Sequence, residues 1–289
     1  MIVNQTGSDG ITIRPVRTPA ECRHVQIVMK HVWQSSDREL VPTHVLITVS
    51  KNGGVLLGAF APDGPSESSG MVGFIFGWPG YGTDERGRAL PKHCSHQLAV
   101  LPRYRRCGLG LRLKLAQREA VLAQGATEWI TWTFDPLQRG NAIFNLHHLG
   151  VTSNTYLLNV YGEQEDAINT GLPTDRVQVD WRLRSQHVLE AIAPEKRAHA
   201  GQPDNLRILP APPVEDSGGP DIAGLEADVP LAVPLPDTVD GLRMEDPARL
   251  SQWRYYLRTL LPAAFESGYQ LTDCAPLSDC GWHYILSPS

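Results

Sequence analysis

The chain has few cysteines, no long apolar run and no surplus of basic residues, and each absence excludes a class of protein. Its five cysteines among 289 residues form no C-x-x-C pair and no Cys/His spacing of a zinc site, so we expect reduced thiols and no structural metal. Pairing of Cys274 with Cys280 in an oxidising environment is the alternative. No stretch approaches the roughly 18 apolar residues of a membrane span. The net charge of -5 argues against a general affinity for nucleic acid or anionic membranes.

The first nine residues also lack the basic start and apolar run of a secretory signal, so we expect a cytosolic protein. Hydrophobic residues make up 42% of the chain and charged residues 20%, which is ordinary for a globular protein. The length allows one large domain or two small ones.

Hydrophobic periodicity predicts the order strand, helix, strand, helix, strand between residues 93 and 161. The clearest helix covers residues 108–124, where Leu109, Leu113 and Ala116 recur at helical spacing and Gly125 is placed to end it. This alternation requires at least one parallel pair of strands, which indicates an α/β sheet. Further upstream, the β-rich runs 45–50 and 55–60 flank Lys51-Asn-Gly-Gly54, which predicts a hairpin.

The composition changes after residue 185. Residues 193–236 hold many prolines, glycines and acidic residues, so we expect residues 186–245 to form an irregular connection with a short strand near 206–209. Asp246-Pro247 predicts a helix start, although Pro262 is expected to kink or divide that helix, and two short strands should follow. The segment 246–289 is too small to be very stable alone, so we expect it to pack on the main domain, residues 1–185, or on a partner subunit.

The segment Val100-Leu-Pro-Arg-Tyr-Arg-Arg-Cys-Gly-Leu-Gly110 leads from a strand into the clearest helix. Gly108 and Gly110 allow an anion to approach the backbone, and the N–H groups at the helix start would point at it. Arg105 and Arg106 add fork-shaped donors suited to phosphate. This segment, which we call the cradle, therefore predicts a pyrophosphate site. It is not a P-loop, because no Lys-Ser or Lys-Thr follows Gly110, and it lacks the third glycine of a dinucleotide fingerprint.

The run Arg105-Arg-Cys-Gly108-Leu-Gly110, with the strand before it and the helix, strand and helix after it, resembles the GNAT superfamily of acyl-CoA-dependent N-acyltransferases. The signature of that superfamily is Gln or Arg, two residues, Gly, one residue, then Gly or Ala. The resemblance covers residues 10–185. It implies an α/β fold with a central mixed, mostly antiparallel twisted sheet flanked by helices, here with a small C-terminal α+β extension.

The resemblance implies acetyl-CoA or another acyl-CoA as co-substrate. Backbone groups of Leu98, Ala99 and Val100 would pair with the pantetheine arm like an added strand. Asn141 and Asn145 on the second helix would contact the pantetheine or thiol end. The residues that would hold the pyrophosphate are Arg105, Arg106, Cys107, Gly108, Leu109, Gly110 and Leu111.

Acyl transfer to an amine needs a group that accepts the amine proton. Many GNAT members use a glutamate on the strand before the cradle, but this strand reads His93-Cys-Ser-His-Gln-Leu98 and has no carboxylate. We expect His96 to be the base, since an imidazole with a pKa near 6.5 suits this role. Counting in steps of two places it on one face with Cys94, Leu98 and Val100. A hydrogen-bonded core histidine is the alternative.

The departing thiolate benefits from a proton donor, and the tyrosine that GNAT members often place on the second helix is Leu146 here. Tyr161 or Tyr156 on the next strand is the candidate acid. Alternatively, the thiolate leaves without a proton, and water carries protons in a reaction dominated by positioning.

The end of the strand near residue 134 is where α/β proteins usually bind ligands. The candidate substrate-binding residues there are Trp132, Phe134, Asp135 and Arg139. Asp135 would hold an ammonium group and Arg139 a carboxylate, and an Asp-Pro turn with a capping arginine is the alternative. This run also resembles a bacterial GNAT subgroup with an extended C-terminus, for which amino-acid N-acylation, including succinylation, has been proposed.

We therefore expect a cytosolic N-acyltransferase that moves an acetyl or other short acyl group, succinyl included, from acyl-CoA to the amine of a small molecule such as an amino acid. Transfer would be direct, in a ternary complex. We expect no nucleic acid, membrane or metal partner, and homodimerisation stays open. The alternative is a catalytically inactive acyl-CoA-binding sensor or assembly module, which the missing glutamate and tyrosine favour.

Overall fold

A computed structural model describes residues 4–34, 36–84, 86–162, 173–193, 205–213, 229–277 and 280–289. The chain divides into two compact units, Met1–Thr131 and Trp132–Ser289. The domain boundaries expected at residues 185 and 245 both lie inside the second unit.

The first unit is built on a sheet with the strand order β1-β2-β3-β4-β5-β6. The neighbours are antiparallel except for the parallel pair β5–β6. Its elements are β1 (Gln5–Thr6), β2 (Thr12–Pro15), α1 (Pro19–Trp33), α2 (Thr43–Lys51), β3 (Val55–Phe60), β4 (Met71–Thr83), β5 (Ala89–Val100), α3 (Leu109–Gln124) and the start of β6 (Trp129–Phe134).

Helices cover both faces of this sheet. Trp33 of α1 packs edge-on against Phe74 of β4, with the ring centroids 6.1 Å apart. A side chain at the adjacent Gly73 would instead meet Leu113 of α3. Because consecutive residues of a strand point to opposite faces, α1 and α3 lie on opposite sides of β4. We call these sides the α1 face and the α3 face. The predicted mixed, mostly antiparallel sheet flanked by helices is confirmed.

The predicted hairpin at residues 45–60 is wrong, because its first half is helix α2. Pro42 lies in the extended conformation just before the helix, and Leu46 on the helix is fully buried. The β-branched residues of this segment favour a strand only weakly, so burial of Leu46 and packing of the helix against α1, β3 and β4 decide the structure. A side chain at Gly54 would collide with Val49, which explains the glycine where the chain leaves α2 for β3.

The second unit has the strand order β6-β8-β7-β11-β12-β10-β9. Its remaining elements are α4 (Arg139–Ala142), a π-helix (Ile143–His148), β7 (Thr152–Leu157), β8 (Arg176–Arg182), α5 (Gln186–Ile192), β9 (Arg207–Ile208), β10 (Leu231–Pro234), α6 (Val239–Glu245), α7 (Pro247–Glu266), β11 (Tyr269–Leu277) and β12 (Gly281–Pro288).

The described part of residues 186–245 contains α5, β9, β10 and α6, whereas residues 194–204 and 214–228 of the expected irregular connection lie outside the described residues. Helix α7 begins as expected, with the Asp246 carboxylate accepting a hydrogen bond from the N–H of Arg249. It continues through Pro262, so this proline does not divide the helix, and the alternative of a kink at Pro262 stays a prediction. Strand β11 pairs with β7, which joins the C-terminal segment to the sheet of the second unit. No helix in the described ranges is long and apolar enough to cross a membrane.

Candidate functional site

The residues expected to form a site are distributed over both compact units. The first unit carries His96, Leu98, Ala99, Val100 and the cradle. The second unit carries Trp132, Phe134, Asp135, Arg139, Asn141, Asn145 and Tyr161.

The cradle is a short loop with two residues in the left-handed backbone region. A single-turn 3-10 helix, Pro102–Tyr104, ends β5, and the loop then passes through Arg106 with φ 63° and Gly108 with φ 79° before α3 begins. No atom lies within 4 Å of a Cβ built on Gly108. The glycine is therefore required by the backbone conformation, and the space beside it is open to a ligand.

The backbone amides of the cradle supply a row of donors. The first N–H groups of a helix have no acceptor within the helix. In the described ranges, no other backbone or side-chain group accepts a hydrogen bond from the N–H groups of residues 106–111. Gly108 caps α3 without a side-chain hydrogen bond. The arrangement suits a pyrophosphate, whose oxygens accept several N–H donors and are favoured by the positive end of the helix dipole.

The arginines near the cradle divide into two kinds. Arg103 and Arg112 form ion pairs with Asp63 at 2.7 Å and with Asp9 at 2.8 Å. Arg105 instead donates from Nε to the carbonyl oxygen of Val100 at 2.9 Å, and Arg105 and Arg106 are both exposed. The charge beside the cradle is therefore supplied by arginines that no described carboxylate neutralises.

Strand β5 offers an edge next to the cradle. Its parallel pairing with β6 covers only His93 with Ile130 and Cys94 with Thr131. On its other side, β5 pairs with β4 as far as Val100. In the part of the chain that the structure describes, the segment 95–100 thus has a strand partner on one side only. This edge leads directly into the cradle, as the predicted pairing with a pantetheine arm requires.

A β-bulge at His96 changes which residues share a face. Phe76 of β4 pairs with Gln97, and the next residue, Gly77, pairs with Ser95, so His96 is the extra residue. Cys94 and Gln97 therefore lie on the α1 face. Leu98 and Val100 lie on the α3 face with Ser95, because they pair with Ile75 and Gly73 of β4. The prediction that His96 and Cys94 share a face with Leu98 and Val100 is wrong, since the bulge breaks the two-residue period.

The His96 ring lies on the α1 face beside two aromatic residues. Its centroid is 4.8 Å from that of Trp78 and 6.3 Å from that of Phe76. The side chain is exposed on one side, and desolvation by the surrounding protein lowers the pKa of the imidazole below its ordinary value. A neutral imidazole on an exposed residue has the properties of a general base.

Four buried polar residues join strand β5 to helix α3 on the α3 face. The sequence interpretation missed them. Ser95 and His93 of β5 contact Lys114 and Gln117 of α3. Burial and the Lys114 charge lower the pKa of His93 to about 4. The available signal was the spacing of Lys114, Gln117 and Val121, which places a lysine and a glutamine in one row with a buried valine.

Asn145 lies in the π-helix of the second unit and is almost fully buried. Its side-chain oxygen accepts a hydrogen bond from the indole N–H of Trp132 at 3.2 Å, so two predicted site residues are in contact. Leu146, at the position where GNAT members often have tyrosine, is buried. Asn141, one turn earlier, is exposed. Single-turn π-helices are frequent at functional sites because they re-aim side chains.

The two charged candidates of the second unit are in ion pairs. Asp135 accepts hydrogen bonds from Arg254 of α7 at 2.9 and 3.0 Å, and Arg254 is 2% exposed. Arg139 pairs with Asp237 at 3.0 Å. Phe134, beside Asp135, is buried. The Asp135 carboxylate is therefore already paired with the guanidinium group of Arg254.

The two tyrosines considered as acids differ in their surroundings. The Tyr156 hydroxyl donates to Asp175 at 3.0 Å, and burial together with that carboxylate raises the pKa of the phenol. Tyr161 is 49% exposed, and its hydroxyl lies 3.4 Å from the Thr133 hydroxyl. Tyr156 thus retains its proton strongly, whereas Tyr161 remains open to solvent.

No group of three or more His, Cys, Asp or Glu side chains suited to a metal ion occurs in the described ranges. All five cysteines are free thiols. Cys107 in the cradle is exposed and donates to the carbonyl of Tyr104, whereas Cys274 is buried.

Several solved acetyltransferase structures are similar to this chain. They include NAA60 from Arabidopsis thaliana in complex with acetyl-CoA, which is 14% identical, covers 60% of this chain and 99% of its own, and has a TM-score of 0.46. An acetyltransferase of the GNAT family from Streptococcus pneumoniae is 15% identical over 59% of this chain and 98% of its own, with a TM-score of 0.43. The ribosomal-protein-S18-alanine N-acetyltransferase from Escherichia coli is 13% identical over 60% of this chain and 94% of its own, also with a TM-score of 0.43.

No protein-family model matches the sequence, and no curated protein matches it.

Proposed function

We propose that the chain is an acyl-CoA N-acyltransferase that transfers an acetyl or other short acyl group to the amine of a small molecule such as an amino acid, with the cytosol as its compartment. The observation that carries the proposal is the continuity of the one-sided edge of β5 with the N–H row of the cradle. An extended amide arm that ends in a pyrophosphate matches this continuity, and coenzyme A has that chemistry.

The first unit supplies two kinds of contact to the donor. Backbone groups of Leu98–Val100 pair with the amide groups of the pantetheine arm, which aligns the thioester along β5. The N–H groups after Arg106, together with the guanidinium groups of Arg105 and Arg106, hold the pyrophosphate. The donor is thus bound through its pantetheine arm and pyrophosphate, which all acyl-CoA donors share. The acyl group projects along the strand toward the bulge.

His96 is the residue that we assign to proton transfer. In the reaction, the amine nitrogen forms a bond to the thioester carbonyl carbon, the carbon–sulfur bond breaks, and the coenzyme leaves as a thiolate. The neutral imidazole accepts the proton that the amine loses, directly or through one water. Its lowered pKa keeps it unprotonated at neutral pH, so it is ready to act as a base.

The acceptor is the second substrate of the proposed reaction. The Escherichia coli protein is named for an alanine of a ribosomal protein, so peptide N-termini belong in any test beside amino acids and small amines. We favour the small-molecule class on the sequence resemblance to GNAT proteins with an extended C-terminus.

A two-part experiment tests the function. Calorimetry measures binding of acetyl-CoA, succinyl-CoA and CoA to the full chain, and thiol release is then followed with amino acids, polyamines and short peptides. Turnover with an amine, abolished in His96→Ala, would support the enzyme. Tight binding of acyl-CoA without turnover on any acceptor would favour the sensor, and absence of binding would refute the donor site.

A further inference from the structure

A buried polar cluster fastens the strand that carries His96 to helix α3. The Nζ of Lys114 donates to the Ser95 hydroxyl at 3.0 Å, and the Nε2 of Gln117 lies 3.3 Å from the Nε2 of His93. Lys114 is 3% exposed and Gln117 is fully buried. Two residues of β5 are thus held by two residues of α3, one helical turn apart.

The lysine is unusual for its position. Leu113 and Val121, its neighbours on the inner side of α3, are fully buried apolar residues. An amine in such surroundings is costly, and an apolar residue of similar volume is often at least as favourable for stability. Stability alone therefore does not account for Lys114, whose Nζ contacts the Ser95 hydroxyl.

Ser95 is the residue immediately before the bulge. The extra residue, His96, lies between the Ser95–Gly77 pair and the Gln97–Phe76 pair, so the direction of its side chain depends on how Ser95 is held. Gly77 opposite Ser95 carries no side chain, and a Cβ there would approach the His93 ring to 2.5 Å. The glycine avoids that collision, and the lysine contacts Ser95 on the same face.

The same helix also forms the cradle. The first turn of α3, starting at Leu109, presents its N–H groups to the proposed donor, and Lys114 lies in the next turn. One rigid element thus fixes both the donor pyrophosphate and the strand of the proposed base. A displacement of that strand by about 1 Å would be enough to cost a large factor in rate.

We propose that Lys114 is a positioning residue for acyl transfer, and that its contact with Ser95 holds the bulge that turns His96 toward the reacting amine. This inference rests on the proposed function. Lys114 acts through Ser95 and the backbone of β5, on the face opposite to His96, and touches neither donor nor acceptor.

Charge within the cluster agrees with this assignment. Burial lowers the pKa of Lys114 well below its ordinary value, and burial together with the lysine charge lowers the pKa of His93. Because the charge of Lys114 contributes to the lowered pKa of His93, replacement of Lys114 should raise the pKa of His93.

The test compares Lys114→Met and Ser95→Ala with wild type and with Ser95→Thr, which retains the hydroxyl. We expect kcat on the best acceptor to fall about tenfold to a hundredfold in the first two variants, with the KM for acetyl-CoA within about twofold. Histidine NMR titration should show the pKa of His96 moving up toward its ordinary value as the ring loses its fixed place beside Trp78. Ser95→Thr should keep most of the activity.

Val121→Ala is the matched control, because it weakens the same row of α3 without touching Ser95. An equal loss of kcat in Val121→Ala at a comparable Tm would overturn the inference, as would unchanged kcat and an unchanged His96 titration in Lys114→Met. If Lys114→Met fails to fold, Ser95→Ala decides by the same two readouts. If no acceptor is turned over, the titration of His96 alone decides. Failure of the proposed function is recognised separately in wild type, which would then bind no acetyl-CoA or would bind it without turnover on any acceptor.

Discussion

The Nε–H of Arg105 donates to the carbonyl oxygen of Val100 at 2.9 Å, which ties the start of the cradle loop to the last residue of β5. One guanidinium donor is used inside the protein, and the residue as a whole is exposed. The strand edge and the cradle are therefore held together by the same residue that adds charge to the anion site.

Replacement of Arg105 by lysine should separate the effect of the hydrogen bond to Val100 from the effect of the positive charge. Lysine retains the positive charge but has no Nε–H in the fork geometry, so the tie to Val100 is lost. We expect the KM for acetyl-CoA to rise about threefold to tenfold with kcat little changed, measured by steady-state thiol release. Arg103→Lys, on the neighbouring arginine paired with Asp63, is the control, and an equal rise in both variants would contradict a specific role of Arg105.

Gly108 and Gly125 form a matched pair at the two ends of α3. Both have positive φ, 79° and 69°, and neither has an atom within 4 Å of a built Cβ. Alanine at either position should cost about 1 kcal/mol of stability through backbone strain. Only Gly108→Ala places a methyl group in the open space of the cradle, so calorimetry should show about tenfold weaker acetyl-CoA binding, or ~1.4 kcal/mol, for this variant alone. Equal affinities in the two variants would refute the cradle.

The pH dependence of the rate should report the base. Protonation of His96 removes its lone pair, so kcat/KM should fall on the acid side of a midpoint below 6.5, because the pKa of this imidazole is lowered by desolvation. Activity should therefore be on its plateau at pH 7. In His96→Gln, the residual rate should lose this acid limb, and an unchanged limb in that variant would assign it to another group.

His93 should make stability depend on pH. Its pKa is about 4 in the folded protein and near 6.5 when unfolded, so the unfolded chain takes up the proton first as the pH falls. The stabilisation is complete above pH 6.5 and should be lost between pH 6.5 and 4, amounting to about 3 kcal/mol. Urea unfolding of His93→Gln should show a flatter profile than that of wild type in this pH window. A parallel profile for His93→Gln would count against this assignment.

The pair Asp135–Arg254 should be a strong structural contact of the second unit. Arg254→Met leaves a poorly exposed carboxylate without its cation, which should cost about 3 kcal/mol or more of unfolding free energy. The double variant with Asp135→Asn should recover part of that loss, as measured by a double-mutant cycle in urea. Additive effects would show that the two side chains are not coupled.

Local signals account for much of what was predicted correctly. Helix α3 was predicted from the spacing of Leu109, Leu113 and Ala116 and from Gly125, and α7 from Asp246-Pro247, because caps and periodicity act over a few residues. The same locality explains the failure at residues 43–51, where β-branched residues suggested a strand but packing against α1 formed a helix.

The sequence by itself determined the cradle, since its glycines, arginines and following helix lie within about 25 consecutive residues and act through local backbone geometry. Only the tertiary structure decided the bulge at His96, the lysine beneath Ser95 and the partner of Asp135. A bulge is a mismatch between two strands, and Arg254 is 119 residues from Asp135 in the chain. Strand register and burial arise from contacts between distant segments. The periodicity of one segment contains no information about those contacts.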